Sequence, residues 1–216
     1  MLTSSPVISS GGGGGGGITS AVYNTQLGAI SISGGVASFP AHVFFQRQGS
    51  QTAAVASGTT GIPFDNTIPL VTEGTTFIGP IFITPFFGDG STNVVVIVDA
   101  FFSRVATSTT NKHVVGALFA ATDGTLNYGA NAVATCIGYS PYLVGDTGMV
   151  ALHLEYDFSP ASTNRHAFIF RAGVEGSGTV DALRFNSSDG TNALFGGTLA
   201  SGLWASEYEA FNYPPS

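Results

Sequence analysis

The sequence is poor in charge. Of its 216 residues six are Lys or Arg and thirteen are Asp or Glu, 9% in all, where an average soluble domain carries about 25%. Lysine occurs once, at Lys112, beside five arginines, and the net charge is −7. No basic patch able to track phosphates can be assembled from that inventory, so nucleic acid is excluded as a partner. An anionic membrane surface is disfavoured on the same ground. Cysteine also occurs once, as Cys136 in AVATCIGY, which rules out an intrachain disulfide and a cysteine-based zinc site. In that strand-like run it reads as a small buried hydrophobe.

Long apolar runs are missing too. The longest, NVVVIVDAFF, is broken by Asp99 and is too short to cross a bilayer. The first residues, MLTSSPVISS, have neither a basic start nor an apolar core, so no secretion signal is expected there and the chain reads as a soluble protein made in a cytosol. What is abundant is Gly (30) and Phe (17), with Ser and Thr at most polar positions. Gly, Ser, Thr, Val and Phe are mediocre or poor helix formers, and they suit short strands joined by tight turns. The expected class is all-β. So low a charge density also predicts that neighbouring subunits cover much of the surface.

Along the chain, residues 1–37 carry no persistent hydrophobic period and read as an extended N-terminal arm; residues 38–216 read as one antiparallel jelly-roll β-sandwich. The expected strands are Ser38–Arg47, Thr76–Thr84, Asn93–Arg104, Lys112–Ala120, Ala132–Tyr139, Gly148–Phe158, His166–Ala172 and Gly202–Phe211. The clearest signal is GMVALHLEYDF, where Val150, Leu152, Leu154, Tyr156 and Phe158 share one face and Met149, Ala151, His153, Glu155 and Asp157 the other. Strict alternation marks a strand with one side in a core. NVVVIVDAFF is apolar on both faces, which predicts a central strand or a subunit contact. Gly88-Asp89-Gly90, Asp123-Gly124 and Ser188-Asp189-Gly190 read as hairpin turns. Pro63, Pro69, Pro80 and Pro85 argue for a loop across the end of a sheet rather than a regular ladder.

A search for chemistry returns little. Seven glycines, Gly11, Gly12, Gly13, Gly14, Gly15, Gly16 and Gly17, are followed by Ile18-Thr19-Ser20 and not by the Gly-Lys-Ser/Thr that a phosphate-binding loop needs, nor is there a dinucleotide fingerprint. His42, His113, His153 and His166 never fall at metal-ligand spacing. His153 and His166 could share a face if their strands are adjacent. Asp65 and Glu73 in PFDNTIPLVTEG are the most interesting carboxylates; they read as hydrogen-bonding the loop backbone or pairing with an arginine such as Arg171. No GxSxG element accompanies a triad, and the sequon-like Asn186-Ser187-Ser188 is discarded for want of a secretion signal. No catalytic residue, cofactor or metal is assigned, and the protein is not expected to be an enzyme.

IPFDNTIPLVTEGTTFIGPIFITP resembles a segment recurring in bacteriophage virion proteins that opens a trimeric TNF/C1q-like jelly-roll knob. VVVIVDAFF, VGALF, HAFIFRAGVEGSGTV and FGGTLASGLWASEYEA resemble the later landmarks, in order, over about residues 60–210. The resemblance implies a homotrimer resident in a virion. It implies that Asp65, Thr67, Pro69, Glu73 and Gly74 build a loop and that Arg171 and Glu207 are structural polar anchors. Leu70 and Phe86-Phe87 stand where polar residues are usual, making the loop region greasier, as would suit a second protein contact.

Within that family the oligoglycine reads as a particle-docking arm. Glycine lets backbones pack closely, and seven extended residues reach about 23–25 Å. The expectation is a capsid decoration (cement) trimer on the capsid surface, made in the host cytoplasm, whose partner is the major capsid protein. The alternative is a tail-fibre or tail-tip knob meeting tail proteins or a host surface receptor, with Tyr128, Tyr139 and Tyr142 as candidate contacts.

Overall fold

The computed structural model describes residues 7–8, 20–25, 28–33, 36–38, 44–105, 110–122, 124–140 and 148–209. Within the segment read as an arm, four short strands, β1 (Val7–Ile8), β2 (Ser20–Thr25), β3 (Gly28–Ser33) and β4 (Val36–Ser38), pair antiparallel in chain order. The oligoglycine Gly11–Gly17 lies outside the described residues.

Ten further strands follow: β5 (Phe44–Thr52), β6 (Ala56–Thr60), β7 (Thr75–Ile83), β8 (Thr92–Val105), β9 (Lys112–Ala121), β10 (Ala134–Ser140), β11 (Met149–Phe158), β12 (His166–Val174), β13 (Thr179–Phe185) and β14 (Ser201–Glu209). They build two antiparallel sheets. One runs β10-β9-β12-β7; the other runs β5-β14-β8-β13-β6, with β11 on the remaining edge of β8. The chain crosses between sheets at β6–β7, β7–β8, β8–β9, β10–β11, β11–β12 and β12–β13, the winding of a jelly-roll sandwich.

The core lies between the sheets. Val94, Val96, Val98, Ala100 and Phe102 of β8 are buried, as are Val150, Leu152 and Leu154 of β11. They meet Leu118 of β9 and Phe168 and Phe170 of β12. Phe77, Phe102 and Phe185, from β7, β8 and β13, pack edge-on or tilted with centroids 5.1–5.3 Å apart and pin the sheets together, each such pair adding to simple burial. β8 is central, paired on both edges over most of its length.

Glycines at the expected turns take the left-handed conformation that Asp-Gly supplies, with φ of 79° at Gly90, 81° at Gly124 and 84° at Gly190. The two histidines considered as a pair are separated, because the chain changes sheets between β11 and β12. His153 stands exposed beside Asp99, 2.7 Å away. His166 is buried against Phe158 and Phe168, and burial holds its pKa below 6.5, favouring the neutral ring. Asn186 is wholly buried with φ of 54°, its amide donating to the Thr52 and Ala54 carbonyls and accepting from Ser201. That leaves no access for a glycosyl group.

Candidate functional site

The prolines of IPFDNTIPLVTEG correctly mark a loop, but it crosses the outer face of the β10-β9-β12-β7 sheet rather than its end. The base of the loop is closed by backbone bonds: Gly74 N–H donates to the Gly61 carbonyl at 3.0 Å, and Gly176 N–H to Ile62 at 3.1 Å. Gly74 is needed twice over. Its φ is 67°, and a Cβ there would stand 2.8 Å from Ile62 Cδ1 and 3.0 Å from the Ala172 carbonyl. The far part of the loop is held by Val71 N–H to the Ala130 carbonyl and Ala132 N–H to the Pro69 carbonyl. Beneath it Ile62, Val115, Ala117, Phe119 and Ile169 form a second small core, with Val71, Tyr128 and Ala132 packed on it.

Each loop residue named from the sequence has a definite place. Asp65 Oδ1 accepts from Thr67 Oγ1 at 2.6 Å and from its amide at 2.7 Å, an Asx turn, and these two bonds hold the Asp65 carboxyl below the usual aspartate range. Glu73 Oε2 accepts from Leu70 N–H at 2.8 Å. Pro69 is buried. Arg171, on β12, reaches the loop through its carbonyls and not its carboxylates. Nε donates to Glu73 O at 2.7 Å, Nη2 to Gly74 O at 2.5 Å, and Nη1 to Thr76 Oγ1 at 2.7 Å. The two acids are thus spent on local backbone and do not face a shared groove as a catalytic pair.

Arg171→Met keeps the aliphatic stem and removes all three bonds. Charge-assisted hydrogen bonds contribute about 1.5–3 kcal/mol each when buried, and less where water can replace them. The expected loss is about 1–3 kcal/mol, with faster amide exchange confined to 61–74 and unchanged exchange in β8 and β14.

Between this loop and β10 lies a cleft of about 200 Å³, lined by Pro63, Phe64, Asp65, Thr67, Pro69, Val115, Thr135, Cys136 and Ile137. At its rim the Phe64 ring lies 4.4 Å from His113, and His113 lies 5.8 Å from Tyr139. His113 Nδ1 meets Glu175 Oε2 at 2.5 Å, and Lys112 stands 3.4 Å from the other oxygen. Burial pushes the Glu175 carboxyl up, but the bonds from His113 and Lys112 outweigh it and leave the group below its ordinary value. Burial drives the Cys136 thiol up to about 12, so it is no nucleophile. Of the tyrosines weighed as outward contacts, Tyr139 is exposed. Tyr128 packs into the second core with a buried hydroxyl, and Tyr142 lies outside the described residues. Among the described residues no three His, Cys, Asp or Glu side chains are grouped to hold a metal.

The opposite sheet presents a face that no loop of the described chain crosses. Its outward side chains fall in rows across the strands: Trp204, Ile97 and Glu155; Ser206, Val95 and Asp157; Gly202, Asp99 and His153. The Trp204 indole lies flat against Gly49 and Gly202, where a Cβ at either position would collide with the ring. Arg47 sits over the indole, 5.3 Å from the ring centroid. Sequence reading found the apolar outward face of β8 but not this platform, which depends on two glycines meeting one tryptophan across neighbouring strands.

Compared with known proteins, the chain is similar to the Eiger TNF from S. frugiperda, with 9% identity and a TM-score of 0.39 over 80% of this chain and 98% of that one. No family model and no curated protein matches it.

Proposed function

We propose that this chain is a structural protein of a bacteriophage virion, a homotrimeric jelly-roll knob that decorates the capsid and cements neighbouring coat subunits, with its N-terminal arm on the particle. The motif resemblance over 60–210 motivates the reading. The observation that carries it is the contrast between the two outer faces. Loops 61–74 and 128–132 cover the β9 and β12 part of one sheet, while the other, among the described residues, leaves Val95, Ile97 and Phe101 of its central strand half-buried beside Trp204. The charges on that face are segregated among the described residues. Arg47 stands at the β5 side, and Asp99, Glu155 and Asp157 lie along β8 and β11. Such a face suits head-to-tail contact, one subunit's basic edge on the next one's acidic edge, which closes into a ring when the rotation allows.

Ile97→Arg places a charge in the middle of the contact. The expected result is a folded monomer by light scattering, where the parent is a trimer; a parent that is monomeric at micromolar concentration overturns the oligomer. Head and tail are separated by copy number. Quantitative mass spectrometry of virions is expected to find this chain at a count comparable to the coat protein, and a count of a few trimers moves it to the tail.

A further inference from the structure

Two of the three described histidines sit beside a carboxylate, His113 by Glu175 and His153 by Asp99. His166 does not. The residue is 4% exposed, and neither ring nitrogen has a hydrogen-bond partner among the described residues. It opens β12 on the core side, its ring 5.0 Å from Phe158 and stacked 6.5 Å from Phe168. Phe158 in turn stacks on Tyr156 at 5.6 Å, and Ile83 of β7 is the neighbour of His166 across the ladder. A buried polar group without a partner costs stability and calls for a reason. A phenylalanine would fill this place without that cost.

The neutral ring is tolerated here, whereas a protonated one meets no counter-charge among the described residues. β7 offers Ile81 and Ile83 on this side, and β9 has its titratable groups, Lys112 and His113, at its far end. β11 offers Tyr156 and Phe158, with Asp157 on the exposed face. Burial first, and Asp157 second, raise the Tyr156 pKa, so its hydroxyl stays neutral. Arg165, the preceding residue, lies 4.6 Å over Phe82 and donates to the Gly124 carbonyl, and its charge opposes a second cation. Glu207 enters this end of the core from β14, but Phe86, Thr92 and Gln46 occupy its oxygens. Asp89 is exposed and accepts from Ser91. Two loops shut this end of the sandwich. Gly90 N–H donates to the Pro160 carbonyl at 3.3 Å, and Ser159 Oγ to Asn93 Oδ1 at 2.6 Å. Gly88 lies so close to Ser162 and Thr163 that a Cβ there would strike their backbone. Loop 159–165 runs directly from Phe158 to His166, so the unpaired ring stands at its root.

We propose that His166 is an acid-sensitive latch: protonation of its buried ring releases it from the core and parts loop 159–165 from loop 84–91, while the rest of both sheets stays paired. The device belongs to one chain and stands whether or not the virion reading does. Its sign follows from burial. The closed ring binds a proton less readily than a free histidine, whose pKa is 6.5. Above that value the ring is neutral open or closed, and acid has no purchase. As pH falls below it, the opened form takes up the proton first and gains population.

The test is amide exchange of the full chain, corrected for the intrinsic effect of pH, with an NMR titration of the His166 ring. For a ring that stays neutral when closed, opening at 84–91 and 159–168 is expected to be about tenfold greater at about pH 5.5 than at about pH 7.5. Protection in β8 and in 114–118 of β9 is expected to hold. His166→Phe, which keeps the stack and removes the titration, is expected to abolish the acid response, and His153→Gln to leave it intact. The ring itself is expected to titrate below 6.5. A ring that titrates at or above that value overturns the proposal, and this readout needs no variant. So does an acid response that persists in His166→Phe, or one spread evenly over both sheets.

Discussion

Glu207→Leu is expected to lower stability by about 3–5 kcal/mol, since it removes a fully buried carboxylate from the amide, hydroxyl and carboxamide that donate to it. The side chain enters the end of the sandwich from β14, and its two oxygens collect bonds from three directions. Phe86 N–H donates at 3.0 and 3.1 Å, Thr92 Oγ1 at 2.9 Å and Gln46 Nε2 at 2.7 Å. Gln46 also donates to the Thr84 carbonyl at 2.6 Å, so one acid joins β5, β14, the start of β8 and the β7–β8 turn. Leucine would fill the volume but take the acceptor from the buried Thr92 hydroxyl, from the Phe86 amide and from one bond of the Gln46 carboxamide, and that penalty exceeds the apolar gain. For a domain of this size each kcal/mol moves the melting temperature by about 2–4 °C, so a drop of roughly 10 °C is expected. Glu207→Gln should lie between, because its carbonyl still accepts while its NH₂ opposes the donors. A Leu variant that melts within about 2 °C of the parent would mean that water replaces the carboxylate, and that the end of the sandwich is wet.

The role of Glu207 as a polar anchor came only from the motif resemblance. Composition and periodicity could not place it, because an acid two residues beyond the inward Ala205 looks like the polar end of a strand. The same limit explains the strands that sequence reading missed. β11 was legible because its alternation is uninterrupted, and β8 because apolar residues line both its faces, with Asp99 the one break in NVVVIVDAFF after Asn93. β13, TVDALRF, was not legible because its inward set is Asp181, Leu183 and Phe185, and an inward aspartate spoils the pattern unless its partner is known. β6, ASGTT, carries no apolar signal at all. The first strand of the sandwich, expected at Ser38–Arg47, runs on to Thr52, because its polar half, QRQGSQT, is held by pairing with β14 and not by burial; residues 39–43 lie outside the described residues. In the loop, the prolines gave the interruption and the carboxylates gave the turns. That Ile62 and Val71 would cover Val115, Ala117, Phe119 and Ile169 on the outer face of a sheet needed the three-dimensional path. The cleft and the tryptophan platform are both products of neighbours distant in sequence, which no local pattern encodes.

The inward aspartate of β13 leads to the other large effect. Arg104 and Asp181 are both buried, their side chains 1% and 7% exposed, with Nε 3.7 Å from Oδ2. Arg104 Nη2 also donates to the Thr110 carbonyl at 2.8 Å, while Nη1 has no hydrogen-bond partner among the described residues. The pair is thus longer and less fully bonded than an ideal bidentate contact, and its net contribution is small against the cost of drying two charges. Breaking it is another matter. Asp181→Ala leaves a guanidinium buried without its counter-charge and is expected to cost about 3–5 kcal/mol. Replacing both partners, Arg104→Met with Asp181→Leu, removes the charges together and is expected to recover most of that loss, within about 1–2 kcal/mol of the parent or above it. Denaturant midpoints of the parent, the two single variants and the double variant decide the matter. Full additivity of the single effects would show that the two side chains do not act as a pair, and that Asp181 is kept inward by contacts other than Arg104. Strong non-additivity would establish that β8 and β13 are registered by a charge pair, fixing where β13 and the following turn with Asn186 must lie.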